Sequence, residues 1–146
     1  MSWLLDTNVL SELPKPRPNP AVVAWIAARV GDEVRMHVSA LTLAEIYRGV
    51  LRLGDRDPRA ARLRQWAMTE LPARFAGRIL DFNEAVARSW AAMTAQVPRG
   101  LTIAPIDSLI AATARHHELT LVTRNVADVR HFAGLSVENP WDPERD

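Results

Sequence analysis

Five polar residues occupy positions where apolar stretches end or are interrupted. Asp6 follows Trp3-Leu4-Leu5, Glu45 interrupts Leu41–Tyr47, Asp107 interrupts Ala104–Ile110, and Asn125 and Asp128 follow Val122-Thr123. Singly, each acid has a structural reading. Asp6 suits the cap of a short helix, Asp107 a first-turn acid that complements a helix dipole, and Glu45 a solvent-facing position. Together they suggest a shared cleft. Carboxylates held close together cannot all remain ionised without compensation, and a divalent cation supplies it. Hard oxygen donors favour Mg²⁺ or Mn²⁺ over zinc. An ion held this way acidifies its water and stabilises charge in an in-line displacement at a phosphate. Such chemistry requires no Ser, Cys or His nucleophile.

The elements that must position these residues alternate between short apolar runs and helical stretches. Trp3–Leu5, Val34–Val38, Arg78–Leu80, Thr120–Thr123 and Ser136–Asn139 read as strands. Between them, Pro20 can open a helix that runs to Val30 and stops at Gly31-Asp32. Ser39 can cap a helix reaching Leu51. Pro58 restarts helix up to Leu71, before Pro72. Asp81-Phe82-Asn83-Glu84 has capping-box spacing and opens a helix to about Gln96. Asp107–His117 is Ala-rich and helical, while the Pro-rich Ser11–Pro20 and Pro98-Arg99-Gly100 read as loop and turn. Strands separated by long helical crossovers imply parallel pairing. The predicted class is α/β, three-layered, with a mainly parallel central sheet flanked by helices. In such sheets, ligands bind beyond the carboxyl ends of the strands, where Asp6, Asp107, Asn125 and Asp128 all fall.

A length of 146 residues suits one domain, expected over 1–146 with its core at about 3–141. A chain this long buries roughly 68–70% of its unfolded surface. No cysteine is present, which excludes disulfides, cysteine-based zinc sites and a cysteine nucleophile. Asp6 ends the first apolar run at once, so neither a leader nor a membrane span is expected, and the expected location is the cytoplasm. The net charge is only +1. Lys15 is the sole lysine among 18 basic residues, a usage that high-GC coding sequence also produces.

Arg48, Arg52, Arg56, Arg59, Arg62 and Arg64 form a run beside the Glu45 helix. It reads as a solvated face, or alternatively as a grip on an RNA backbone. Trp25, Trp66 and Trp90 fall on helices as core or interface residues, with base stacking as the other reading. Trp3 and Trp141 are expected to pack together. His37, His116, His117 and His131 show no ligand spacing and are assigned no catalytic part.

Four segments resemble the motifs of VapC-type PIN-domain ribonuclease toxins. They are Asp6-Thr7-Asn8-Val9-Leu10-Ser11-Glu12, Thr42–Gly49 around Glu45, Ile106–Ala114 around Asp107, and Leu121-Val122-Thr123-Arg124-Asn125. The Pro-Asn-Pro loop, Phe75–Leu80 and Glu138-Asn139-Pro140-Trp141 further resemble the FitB-like branch. The likeness runs from Leu4 to about Trp141. It implies a PIN fold, homodimerisation, Mg²⁺- or Mn²⁺-dependent endoribonuclease activity, and inhibition by a cognate antitoxin. Higher assembly would come with that antitoxin, as would contact with operator DNA. The resemblance makes Asp6 and Asp107 the first metal ligands. Glu45 then completes the site or orients the attacking water, and the products carry 5′-phosphate and 3′-hydroxyl ends. At the fourth position this chain has Asn125 where many relatives have Asp. An amide contributes no charge, and Asp128, three residues on, is the alternative. Thr7 is a candidate hydrogen-bond donor to a ligand or to the phosphate.

Two other functions are open to the sequence. A haloacid-dehalogenase-like phosphatase would also place an Asp after the first strand, but Asn8 stands where its second acid belongs and Lys15 lies in the wrong region. A PIN-fold binding module with weakened catalysis is the non-enzymatic reading, and Asn125 is the feature in its favour.

Overall fold

A computed structural model describes residues 1–142; residues 143–146 of the expected domain lie outside the described residues. The chain runs β1 (Trp3–Leu5), α1 (Thr7–Leu10), α2 (Pro20–Ala27), β2 (Met36–Ser39), α3 (Ala40–Leu51), α4 (Ala60–Gln65), α5 (Leu71–Arg74), β3 (Ile79–Leu80), α6 (Glu84–Ala95), α7 (Pro105–His116), β4 (Thr120–Val122), α8 (Val126–Val129) and β5 (Val137–Glu138). The strands form one sheet in the order β3-β2-β1-β4-β5, and every neighbouring pair is parallel.

Period-two alternation divides the core between the two faces. Trp3, Leu5, Met36, Val38 and Val122 pack with α1, α2, α3 and α5 on one side. Leu4 and Leu121 pack with α6, α7 and α8 on the other. The chain leaves β1 for β2 and β3 on one flank, then returns to β4 on the other. Strand order therefore reverses beside β1, and crossover helices cover both faces. The expected three-layer class is observed.

Caps explain most helix starts. The Asn19 side chain accepts from Ala21 N ahead of Pro20, and Ser39 Oγ accepts from Leu41 N. Three expectations are corrected. The α6 cap is Asn83, whose Oδ1 accepts from Val86 N at 3.1 Å, so the box read from Asp81 starts two residues early. α2 ends at Ala27, and a 3₁₀ turn over Glu33–Arg35 delays β2 to Met36. Pro72 does not end its helix. A π turn over Trp66–Glu70 precedes it, Leu71 N donates to Trp66 O, and helix continues to Arg74. Widening the turn re-registers the hydrogen bonds ahead of the proline.

Candidate active site

The site is assembled where the strand order reverses, at the carboxyl ends of β1 and β4. Asp6 is both helix cap and buried acid, being only 5% exposed. Its backbone N–H donates to Val122 O at 2.9 Å, which fixes it to β4. Its Oδ1 accepts from Thr7 N at 2.8 Å. Its Oδ2 accepts from Thr123 Oγ1 at 2.7 Å and from Asn8 Nδ2 at 3.4 Å. Burial raises the Asp6 pKa above the ordinary carboxylate value. The Thr123 and Thr7 hydrogen bonds oppose the shift, and nearby Glu45 adds to it.

Glu45 lies on α3, and its Oε1 accepts from Thr7 Oγ1 at 2.6 Å. That bond ties the helix to α1. Asp107 occupies the first turn of α7, which Ser108 helps to seat. Ser108 Oγ accepts from Trp90 Nε1 at 2.9 Å and donates to Pro105 O at 2.6 Å. The Asp107 pKa is pushed up to about 6, first by burial, then by the charges of Asp6, Asp128 and Glu45. Four acids from separate parts of the chain thus share one field. Among the described residues, none of the four carboxylates forms an ion pair with a basic side chain.

Asn125 stands at the cap position of α8, and its backbone N–H donates to Thr123 Oγ1 at 3.0 Å. Its side chain makes no cap bond. Asp128, within α8, is the residue whose charge reaches Asp107.

The donor set is all oxygen, net negative and without a basic counter-charge, which suits a hard dication. Asp6, Asp107 and Glu45 are the ligands expected from the sequence. Among the described residues, no three His, Cys, Asp or Glu side chains form a metal-holding group. Mg²⁺ needs only one or two carboxylates because it retains several waters.

Asn8 and Thr123 belong to this site, although the sequence reading placed them in the motif segments without giving either a role in the metal chemistry. Asn8 Nδ2 donates to both Asp6 and Thr123, while its Oδ1 accepts from Arg124 N at 3.2 Å. Thr123 is fully buried. A polar residue closing the apolar run Leu121-Val122 was the available signal. Arg64 leaves the predicted basic face, since it donates to Val50 O and Leu53 O at the end of α3. Trp141 packs against the cluster that contains Trp3, but the ring edge-on to Trp3 is Trp25, at 5.8 Å.

A doubly wound parallel sheet with an acid-lined crevice at its strand-order reversal defines a class of α/β proteins that act at the carboxyl edge. Residues 3–134 match the PIN domain family, and the chain belongs to it. It is 40% identical to Toxin FitB of Neisseria gonorrhoeae over 94% of this chain and 97% of that protein. It is 38% identical to VapC ribonuclease Y4jK of Sinorhizobium fredii, covering 96% and 98% respectively. The structure of FitAB bound to an IR36 DNA fragment superposes with a TM-score of 0.81, at 38% identity and 94% coverage of each chain. Membership in this family leaves the phosphatase reading without support. Among the described residues, no helix is long and apolar enough to cross a membrane.

Proposed function

We propose that this chain is a divalent-metal-dependent endoribonuclease and the toxin of a toxin–antitoxin pair. The observation that carries the reading is the convergence of Asp6, Glu45 and Asp128 on Asp107, whose pKa burial and then these three charges push up to about 6. Likeness to Toxin FitB and to a VapC ribonuclease supports the substrate class.

Asp6 and Asp107 would hold a Mg²⁺ or Mn²⁺ ion, directly or through water, with Glu45 nearby. When bound, such an ion acidifies water and offsets negative charge growing on a phosphate. The chain's own groups supply the rest. Thr7 holds Glu45 through Oε1, which leaves Oε2 to take a proton from the attacking water. Thr123 and Asn8 fix the Asp6 carboxylate, so it pays no reorganisation during reaction. Water oxygen bonds to phosphorus, the P–O3′ bond breaks, and the 3′-oxygen leaves as a hydroxyl after taking a proton. A 5′-phosphate remains. Asp128 is the better fourth acid, because its charge reaches Asp107, whereas Asn125 contributes backbone anchoring.

The partners in this reading are RNA, a second copy of the chain and a cognate antitoxin through which operator DNA is reached. The FitAB assembly on DNA supports that arrangement. The work belongs in the cytoplasm, where RNA and the antitoxin are.

The test is cleavage of RNA by the purified chain in Mn²⁺ or Mg²⁺, with 5′-end mapping. Asp6→Asn and Asp107→Asn should each lower the rate at least about 100-fold while circular dichroism stays unchanged. Cleavage by Asp107→Asn at the wild-type rate would overturn the reading. The weakened-module alternative draws on Asn125 and on the open ligand arrangement. It would be favoured if no Mn²⁺ binds at millimolar concentration.

A further inference from the structure

A groove of about 250 Å³ opens beside the carboxylates, between α1, α3 and α4. Its walls include Thr7, Glu45, Ile46, Gly49, Leu63 and Trp66. Because Thr7 and Glu45 bond to each other at 2.6 Å, the groove and the acid site share a wall. A chain laid across the acids must pass its mouth.

Gly49 is the informative residue. It lies inside α3, four positions beyond Glu45, and so on the same helix face. Glycine weakens a helix interior relative to alanine, so the fold should supply a reason for it. None is found in its surroundings: its φ is not positive, and a Cβ built there meets nothing within 4 Å. The clearance is unused by the fold and faces the groove.

The remaining features specify the occupant. Trp66 and Leu63 are half-buried and offer apolar surface, including a ring. Arg59 also lines the groove. Between residues 48 and 64 the sequence has six arginines against Asp55 and Asp57. Arg59 is paired with Asp57 and Arg64 lies near Asp55, but Arg48, Arg52 and Arg56 have no such partner among the described residues. An aromatic wall with Arg59 beside it, on an arginine-rich stretch of chain, suits a polyanion with flat apolar side groups. The volume lies below the roughly 300–1,000 Å³ typical of drug-sized ligand sites, which matches a single planar group.

We propose that this groove receives one base of a single-stranded RNA substrate, adjacent to the scissile phosphate. Trp66 supplies the apolar wall and Gly49 keeps the entrance clear. The subsite sets which base may flank the cut. The inference rests on the nuclease reading and gives it a specificity determinant.

The probe is a fluorescein-labelled hexaribonucleotide, titrated in Mg²⁺ into the Asp107→Asn chain so that it stays intact. Versions lacking the base at each position in turn are compared. Removing one base should weaken binding about 5- to 150-fold, the range of one stacked base. Gly49→Leu should erase that difference by filling the groove, and in the active enzyme it should alter the base preference mapped at cleavage ends. Thermal unfolding at or above the parent temperature would show that the Gly49→Leu fold is intact. The proposal is overturned if no base matters in the parent, or if Gly49→Leu discriminates as the parent does. It also falls if Gly49→Leu spares RNA discrimination but blocks binding of the protein encoded next door, since the groove would then serve a protein segment. Failure of the nuclease reading shows separately, as wild-type protein that leaves RNA uncut in Mn²⁺.

Discussion

At the scale of single residues, Asp6 is held by groups that the sequence places far from it. Thr123 lies 117 positions away yet donates to Oδ2 at 2.7 Å, and the same hydroxyl accepts from Asn125 N. Both partners sit where water does not replace a lost bond. Hydrogen bonds to charged groups contribute about 1.5–3 kcal/mol. Thr123→Val should therefore lower unfolding stability by about 1–3 kcal/mol in urea titration, while Thr123→Ser should recover most of it. Equal stability of Thr123→Val and wild type would remove Thr123 from the support of the site. The acids themselves were legible because each breaks an apolar run, which is conspicuous in one dimension. The roles of Asn8 and Thr123 were not, although both fall in the motif segments, because those roles are contacts between the carboxyl ends of β1 and β4 that neither residue's own position displays. Asn125 and Asp128 were left as alternatives by their spacing. The charge that Asp128 exerts on Asp107 favours Asp128 in the proposed reading, and spacing in the sequence does not display it.

At the scale of elements, local chemistry fixes starts better than stops. Asn19, Ser39 and Asn83 each present an oxygen to a free N–H of the first turn. The expected start of α6 failed by two residues because two polar residues compete in Asp81-Phe82-Asn83-Glu84. The spacing of a capping box selects the first, whereas the bond belongs to the second. Asn83→Ala should accordingly cost about 1 kcal/mol, whereas Asp81→Ala should stay within about 0.5 kcal/mol as a surface change. Chemical denaturation of the two variants decides between the caps, and the reverse order would restore the box. The segment before Pro72 shows a different limit. Pro72 reads as a terminator because its ring removes a hydrogen bond, but the π turn from Trp66 to Glu70 absorbs that loss. Ala67 and Leu71 pack into the core ahead of Pro72, and periodicity in the sequence does not reveal the turn.

At the scale of the whole molecule, charge is nearly balanced but unevenly placed, with a net +1 overall and four carboxylates sharing one field at the sheet edge. Alternating strands and crossovers were enough to give the parallel three-layer class. The order of strands, and hence the point where these acids meet, depends on which face each crossover covers. That meeting should make metal-free stability depend on pH. The folded-state pKa of Asp107 is about 6, above its ordinary value of 3.8. The folded chain therefore binds a proton more tightly than the unfolded one. The associated stability is fully present below about pH 4 and is lost as pH rises through 6. In EDTA at pH 8, Asp107→Asn should unfold at a higher temperature than wild type, and below pH 4 the difference should vanish. Adding Mn²⁺ should reverse the order. An ion at 100 times its Kd contributes about 2.7 kcal/mol to the state that binds it, or about 5–11 °C for a chain of this size. Wild type should gain that increment and Asp107→Asn little of it. If Mn²⁺ raises both melting temperatures equally, the ion binds elsewhere and the converging acids do not hold it.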